Sequence, residues 1–502
     1  MGKLKQAALW TAMLALVLKL SGLVRETIVG AKFGVSHETD AYSLSFAFIT
    51  LVVAMISTGF NNVFLPMYIK NRKSGEAGDH NANALLNWTM MIFVGISFIG
   101  WLGVPYFLPL LYGKMTAETA VIAVPMTQVF FMFMTAIALS GLLDSYLQSR
   151  RIFVPSQVAK LLATLMSLVF AVLFNEQWGI FSLAYGFVIG TILGVIVQLY
   201  YLIRSDYKWR LEFKMDIKFR NAFLLMIVPS LLNSVVGQVN MFVNKAFASS
   251  TGTGSVTYLD KASLIVSIPN AIYATTLAAI IFTLMSEQTE DRAKFKETFF
   301  RGMEISLVTL LPIAAGLLVI GDSVIAFIYE HGKFTSFDTH KTHIALMLYL
   351  PFIVFQGMQL MLSKSMYARG KTAVVFRISV TTILLNFLMN WLLVDRFGYP
   401  ALAIATSVVS VYFFAVSMVV VYKDLGKVEL ARFGRMVPQV LIPTVIMGLA
   451  VWTAKDFVGL GSFGPVVQLA TLVPIGVFVY VGMLFVFYRA GFRRFVGLLK
   501  RG

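Results

Sequence analysis

Nearly unbroken apolar runs of eighteen or more residues recur along this chain from end to end, and nothing else in it restricts the fold as much. Hydrocarbon offers the backbone no hydrogen-bond partners, so such runs must be helices unless strands close into a barrel. Alternating strand patterns are absent, which excludes an outer-membrane barrel. The reading is therefore an all-α polytopic membrane protein. About fourteen spans follow, at roughly 7–31, 40–68, 84–111, 119–148, 154–174, 180–203, 221–248, 255–286, 302–329, 342–368, 373–394, 400–422, 437–454 and 465–488. Several exceed the ~20 residues a crossing needs, so tilt or kinks are expected, with Pro125, Pro229, Pro269, Pro312 and Pro351 as candidate kinks. Lys19 interrupts the first run after the basic start, so that run reads as a retained span rather than a removable signal.

Charge then orients the chain. The formal net charge is +17, and with a cytoplasmic N-terminus 28 Lys and Arg fall in inner segments against six in outer ones. The positive-inside rule places both termini in the cytoplasm and supports an even number of spans. It also explains most of the net charge, so nucleic acid is not needed as a partner. Seven cations remain within spans: Lys19, Arg25, Lys160, Lys245, Lys261, Lys364 and Arg377. Each costs about 2.5–3.5 kcal/mol at membrane depth unless it reaches an interface or faces a wet cavity. Lys160, Lys364 and Arg377 lie close to cytoplasmic ends and read as snorkelling. Lys19 is too central for that, and Arg25 sits in the outer half of the first span. For Lys245 and Lys261, outward snorkelling and cavity lining both remain open.

Catalytic readings fail. Gly370-Lys371-Thr372 has Ser365 where a phosphate-binding loop needs glycine, and no strand precedes it. Thr251 to Ser255 is a short outer turn. His331, His340 and His343 lack a clear fourth ligand for zinc, and without cysteine no thiolate metal site or disulfide exists. No soluble stretch could house an enzymatic domain, so the chain reads as a transporter, not an enzyme. A basic linker, 204–220, read as a solvated loop, divides twelve spans into bundles at 1–203 and 221–422. Two further spans occupy 437–488, followed by a basic cytoplasmic tail, 489–502. Six spans per half suggest parallel repeats.

The opening Ser21-Gly22-Leu23-Val24-Arg25-Glu26, with Phe33-Gly34 and Thr39-Asp40-Ala41-Tyr42, resembles the signature of the MurJ (MviN) lipid II flippases. That family belongs to the multidrug/oligosaccharidyl-lipid/polysaccharide exporter superfamily. Gly59 to Pro66 looks like the end of the family's second helix. Ser234 to Val239, with Ala246 to Ser249 and Gly254 to Val256, looks like its seventh helix and turn, and Tyr258-Leu259-Asp260-Lys261 with Ile268-Pro269 like its eighth.

The resemblance implies two six-helix bundles in a V around a cationic cavity, with the last two helices helping to form a groove for a polyprenyl tail. It implies that Lys19, Arg25 and Lys261 bind the substrate diphosphate and that Asp40 stands near the outer gate. Lys19 and Lys261 replace arginines common in the family, trading a bidentate fork for a point charge. A span-two arginine is missing, and Lys245 is read as its substitute. Lys19 and Arg25 lie about 120° apart on a regular helix, so a bend at Gly22 would be needed to bring them together. Some family members hold sodium at positions that look like Asn386, Asn390, Thr406 and Asn240 here. Amides replace the expected carboxylates, and interhelical hydrogen bonding is the preferred reading. The expected activity is alternating-access transfer of lipid II from the inner to the outer leaflet of the bacterial cytoplasmic membrane, in peptidoglycan and cell-wall biogenesis. Its driving force is the membrane potential or Na+, and the protein is expected to work as a monomer in contact with membrane lipid. The alternatives are export of another polyprenyl-diphosphate-linked glycan and, from a different substrate class, multidrug cation antiport.

Overall fold

The structure, a computed structural model, describes residues 2–73, 78–113, 115–205, 207–275, 277–456, 458–489 and 491–493. Most of the expected basic tail lies outside the described residues. The chain divides into two compact units, one of residues 1–257 with 331–334 and one of residues 258–330 with 335–502.

The first unit contains α1 (Gly2–Phe33), α2 (His37–Ala54), α3 (Asn61–Lys73), α4 (Gly78–Leu111) and α5 (Ala117–Met132). It continues with α6 (Met134–Ser149), α7 (Val154–Leu173), the single turn α8 (Asn175–Trp178), α9 (Phe181–Ile203) and α10 (Ile217–Ser249). The second unit holds α11 (Ser255–Thr275) from Tyr258 onward, α12 (Leu277–Glu287), α13 (Arg292–Tyr329) and α14 (Ser336–Ala368). It ends with α15 (Thr372–Phe397), α16 (Pro400–Leu425), α17 (Lys427–Asp456) and α18 (Pro465–Phe487). Among the described residues, ten helices are long and apolar enough to cross a bilayer, or eleven if the bent α5–α6 pair is one crossing. The expected spans outside that count are α1, α10 and the α11–α12 pair, each helical over its described residues.

The boundary between units does not fall at the 204–220 linker. Helix α10 packs into the first unit, because Phe219, Phe223 and Ile227 join a buried cluster with Ile56, Phe60, Phe64 and Tyr146. A π-helical turn, Met55–Phe60, links α2 to α3 within one crossing, and the Ser230 hydroxyl donates to the Gly59 carbonyl at 2.8 Å.

The closest helix pairing in this unit follows from small residues. Gly186, Gly190 and Gly194 form one stripe of α9, and a Cβ at Gly190 would lie 2.5 Å from the Leu162 carbonyl oxygen on α7. Ala159, Ala163 and Ser167 supply the matching face of α7, so the two backbones nearly touch.

The fourth crossing bends by 50° between α5 and α6. Pro125 is not the hinge. The break comes at Phe133, where the Thr135 N–H donates to the Ser97 hydroxyl of α4 at 3.2 Å instead of continuing the helix.

Nor is the linker a freely solvated loop. Asn83 and Asn87 of α4 donate to the carbonyls of Lys208, Arg210 and Glu212, and Trp88 to that of Phe213, at 2.8–3.0 Å. The Trp209 indole donates back to Asn87, and the Asp216 N–H to Asn81. Residues 207–216 are thus strapped along the first turns of α4.

Candidate functional site

In the first unit α1 is one continuous helix through Gly22, and it does not set Lys19 in the cavity that Arg25 lines. Lys19 is exposed, whereas Arg25 turns inward on another face, its side chain 16% exposed. The Arg25 guanidinium pairs with Glu26 at 2.7 Å and lies 5.4 Å from the Phe46 ring centre, a cation–π distance. Its Nε is buried without a hydrogen-bond partner. Lys245 is half-buried on α10.

Arg25 lines a cavity of about 410 Å³ together with Thr50, Ser57, Asp144, Lys160 and Thr191. Lys19 and Lys245 are not part of that lining. Lys160 was expected to snorkel and does not. Its Nζ meets Asp144 at 2.8 Å, and the other Asp144 oxygen accepts from Gln198 Nε2 at 2.7 Å. The sequence carried a usable signal for this pair. Asp144 stands one to two turns before the end of α6, and Lys160 about as far into α7 beyond a short turn, so an antiparallel hairpin sets them level.

Asp40 has a defined structural task. Its buried carboxylate accepts from the Gly254 N–H at 2.6 Å, the Thr257 N–H at 2.9 Å and the Thr257 hydroxyl at 2.6 Å. The first turn of α11 has no carbonyl of its own for those donors, and α2 supplies the missing acceptor and a favourable negative charge.

In the second unit Lys261 is 2% exposed, with Nζ 4.4 Å from the Tyr329 ring centre. A lysine reaching for the interface would not be packed this way, so snorkelling is set aside. Asn386 and Asn390 are buried and bond to each other along α15 at 3.1 Å. The Thr406 hydroxyl turns back onto the Leu402 carbonyl. Asn240 belongs to α10 in the first unit. Among the described residues no three His, Asp or Glu side chains cluster as metal ligands would.

The second unit also carries an apolar groove of about 990 Å³. Leu311 and Ala315 of α13, Val354 of α14 and Leu441, Val445 and Trp452 of α17 form its walls. Helix α18 packs against α17 and α13 without lining it, so only the first of the two added C-terminal helices contributes directly. At the groove's polar end Lys455 binds both Asp322 oxygens at 2.7 Å.

These features define a class first: a polytopic helical protein with a fold that solved multidrug transporters share. A solved "inward-facing conformation of a multidrug resistance MATE family transporter of the MOP superfamily" superposes with a TM-score of 0.66 at 14% identity, over 81% of this chain and 95% of that one. A solved "Lipid II flippase MurJ, inward closed conformation" superposes at 0.81 with 24% identity, over 96% of this chain and 99% of that one. The sequence model of the family described as "Lipid II flippase MurJ" matches residues 29–472, and the chain belongs to that family. Relatives include the "Probable lipid II flippase MurJ" of Buchnera aphidicola subsp. Schizaphis graminum, 25% identical over 93% of this chain and 94% of that protein. The "Lipid II flippase MurJ" of Thermosipho africanus is 26% identical over 96% of each.

Proposed function

We propose that this protein moves lipid II, the polyprenyl-diphosphate-linked peptidoglycan precursor, from the inner to the outer leaflet of the bacterial cytoplasmic membrane by alternating access. The observation that carries the reading is Arg25, a largely buried guanidinium that lines one cavity with Lys160 and Asp144 in a membrane protein from the lipid II flippase family. A guanidinium offers a phosphate paired, charge-assisted hydrogen bonds. Lys19, Lys245 and Lys261 are proposed as further contacts to the head. The groove along α17 suits a polyprenyl tail, whose methyl-branched chain needs an apolar bed and few polar groups. Asp40 serves the outer gate by holding the start of α11.

Cation antiport is disfavoured by the same cavity, because Lys160 already neutralises its carboxylate, Asp144. A carrier of another polyprenyl-diphosphate glycan would share the head chemistry, and the phenotype of a depleted strain separates the two. The test is complementation of a lipid II flippase-depleted strain. Arg25→Ala should fail to support growth while the protein remains at normal abundance, and full growth of that mutant would overturn the proposal.

A further inference from the structure

We propose that Asp144 and Glu26 are built-in counter-ions for the substrate's diphosphate, holding Lys160 and Arg25 while the cavity is empty and yielding them when the anionic head enters. Lys160 is thereby a further head-binding residue. The inference rests on the reading of the cargo as a polyprenyl-diphosphate lipid, and it adds a cation that neither the family signature nor depth along the span singles out.

The geometry separates a fixed partner from an exchangeable one. Asp144 is held on both sides: its side chain is 6% exposed, and Gln198, itself anchored by Ser140, donates to one oxygen. The lysine is different. Its side chain is 39% exposed and lines the cavity that Arg25 also lines. An ion pair needed only for packing would be sealed, whereas this one presents its cation to whatever occupies the cavity. Thr50, Ser140, Thr164 and Thr191 share that lining but donate their hydroxyl protons within the protein, so recognition of the phosphates falls to the charged groups. Arg25 repeats the arrangement, with one carboxylate engaged and Nε unused.

The arrangement also addresses an electrical difficulty. Unmatched cavity cations would travel outward with the cargo and cancel the gain that its negative charge makes in an inside-negative field. Among the charged residues lining this cavity, Lys160 is matched by Asp144, and Arg25 is matched by the neighbouring Glu26. Paired, they add little net charge to either step, so the cargo's own charge sets the coupling to the field. A diphosphate, with more acceptor oxygens than a carboxylate, displaces the pairing on the loaded step.

The experiment is equilibrium binding of undecaprenyl diphosphate to the full-length protein in nanodiscs, with each variant's melting temperature measured alongside. Lys160→Gln should weaken binding about tenfold, the loss of a charged hydrogen bond, and Lys160→Arg should restore it. Asp144→Asn should tighten binding several-fold, because the lysine no longer has to leave a partner. In the double variant, which lacks the bare carboxylate that Lys160→Gln leaves, affinity should rise above that of Lys160→Gln but stay clearly below wild type; a return to wild-type affinity would mark the pair as structural and overturn the inference. Unchanged binding in Lys160→Gln, with binding lost in Arg25→Ala, overturns the inference and spares the proposed cargo. No binding by the wild-type protein, or full binding by Arg25→Ala, overturns both.

Discussion

At the scale of single residues, position in the sequence told which side chains were out of place, and contacts told what they do. Asp40 is the clearest case. Three donors converge on its buried carboxylate, and truncation strands the Gly254 and Thr257 N–H groups at the start of α11, while the Thr257 hydroxyl keeps Thr39. Asp40→Ala should cost about 1–3 kcal/mol of stability, the range for unsatisfied buried polar groups. Asp40→Asn, which keeps one acceptor oxygen, should cost less. Thermal melts of the two purified variants check the ordering, and equal melting temperatures would reject the capping role. The residue scale is also where the sequence reading erred. Depth along a span made Lys160 a snorkelling residue, but depth carries no information about a partner on the next helix. Asp144 lies across the α6–α7 turn, and only the helical phase of both elements brings the two together.

Helices and linkers obey a different logic, that of backbone proximity. The α7–α9 contact depends on glycines, since any Cβ at Gly190 would enter the α7 backbone. Gly190→Leu is therefore expected to force the helices apart and sharply reduce the yield of folded protein. Size-exclusion profiles in detergent read this directly, and a monodisperse variant at wild-type yield would contradict it. The strap at 207–216 offers a milder test. Asn87 donates to two of its carbonyls and accepts from Trp209, so Asn87→Ala removes three hydrogen bonds at once. At about 1 kcal/mol each, the loss should release the strap without unfolding the bundle. Trypsin should then cut at Lys208, Arg210 or Lys214 much faster than in wild type, with no change in melting temperature. The asparagines were visible in the sequence as ordinary polar residues beside a basic linker. Nothing in their spacing reveals a carbonyl partner more than a hundred residues away.

Across the whole molecule the relevant quantity is charge moved through the membrane field. Each negative charge carried outward gains about 2.3 kcal/mol per 100 mV of inside-negative potential. Lipid II translocation by the reconstituted protein is therefore expected to accelerate when that potential is imposed and to slow when it is collapsed. Vesicle assays with a potassium-diffusion potential measure it, and indifference to potential would rule out a net anionic loaded step. The absence of cysteine makes orientation equally direct to test. Lys3→Cys in the intact chain should react with a membrane-impermeant thiol reagent only after the cytoplasmic face is opened.

What the sequence determined by itself was what lipid imposes without regard to neighbours. Hydrocarbon enforces helices wherever apolar runs are long enough, and lysine and arginine between them bias the orientation, so helix positions and candidate charged residues could be read along the chain. What only the tertiary structure decided was partnership. It placed α10 with the first unit, strapped the linker to α4 and left α18 outside the groove. Those outcomes depend on the rotation of each helix about its axis and on which backbones can touch. Side-chain packing over long sequence separations fixes both, and no local pattern encodes them.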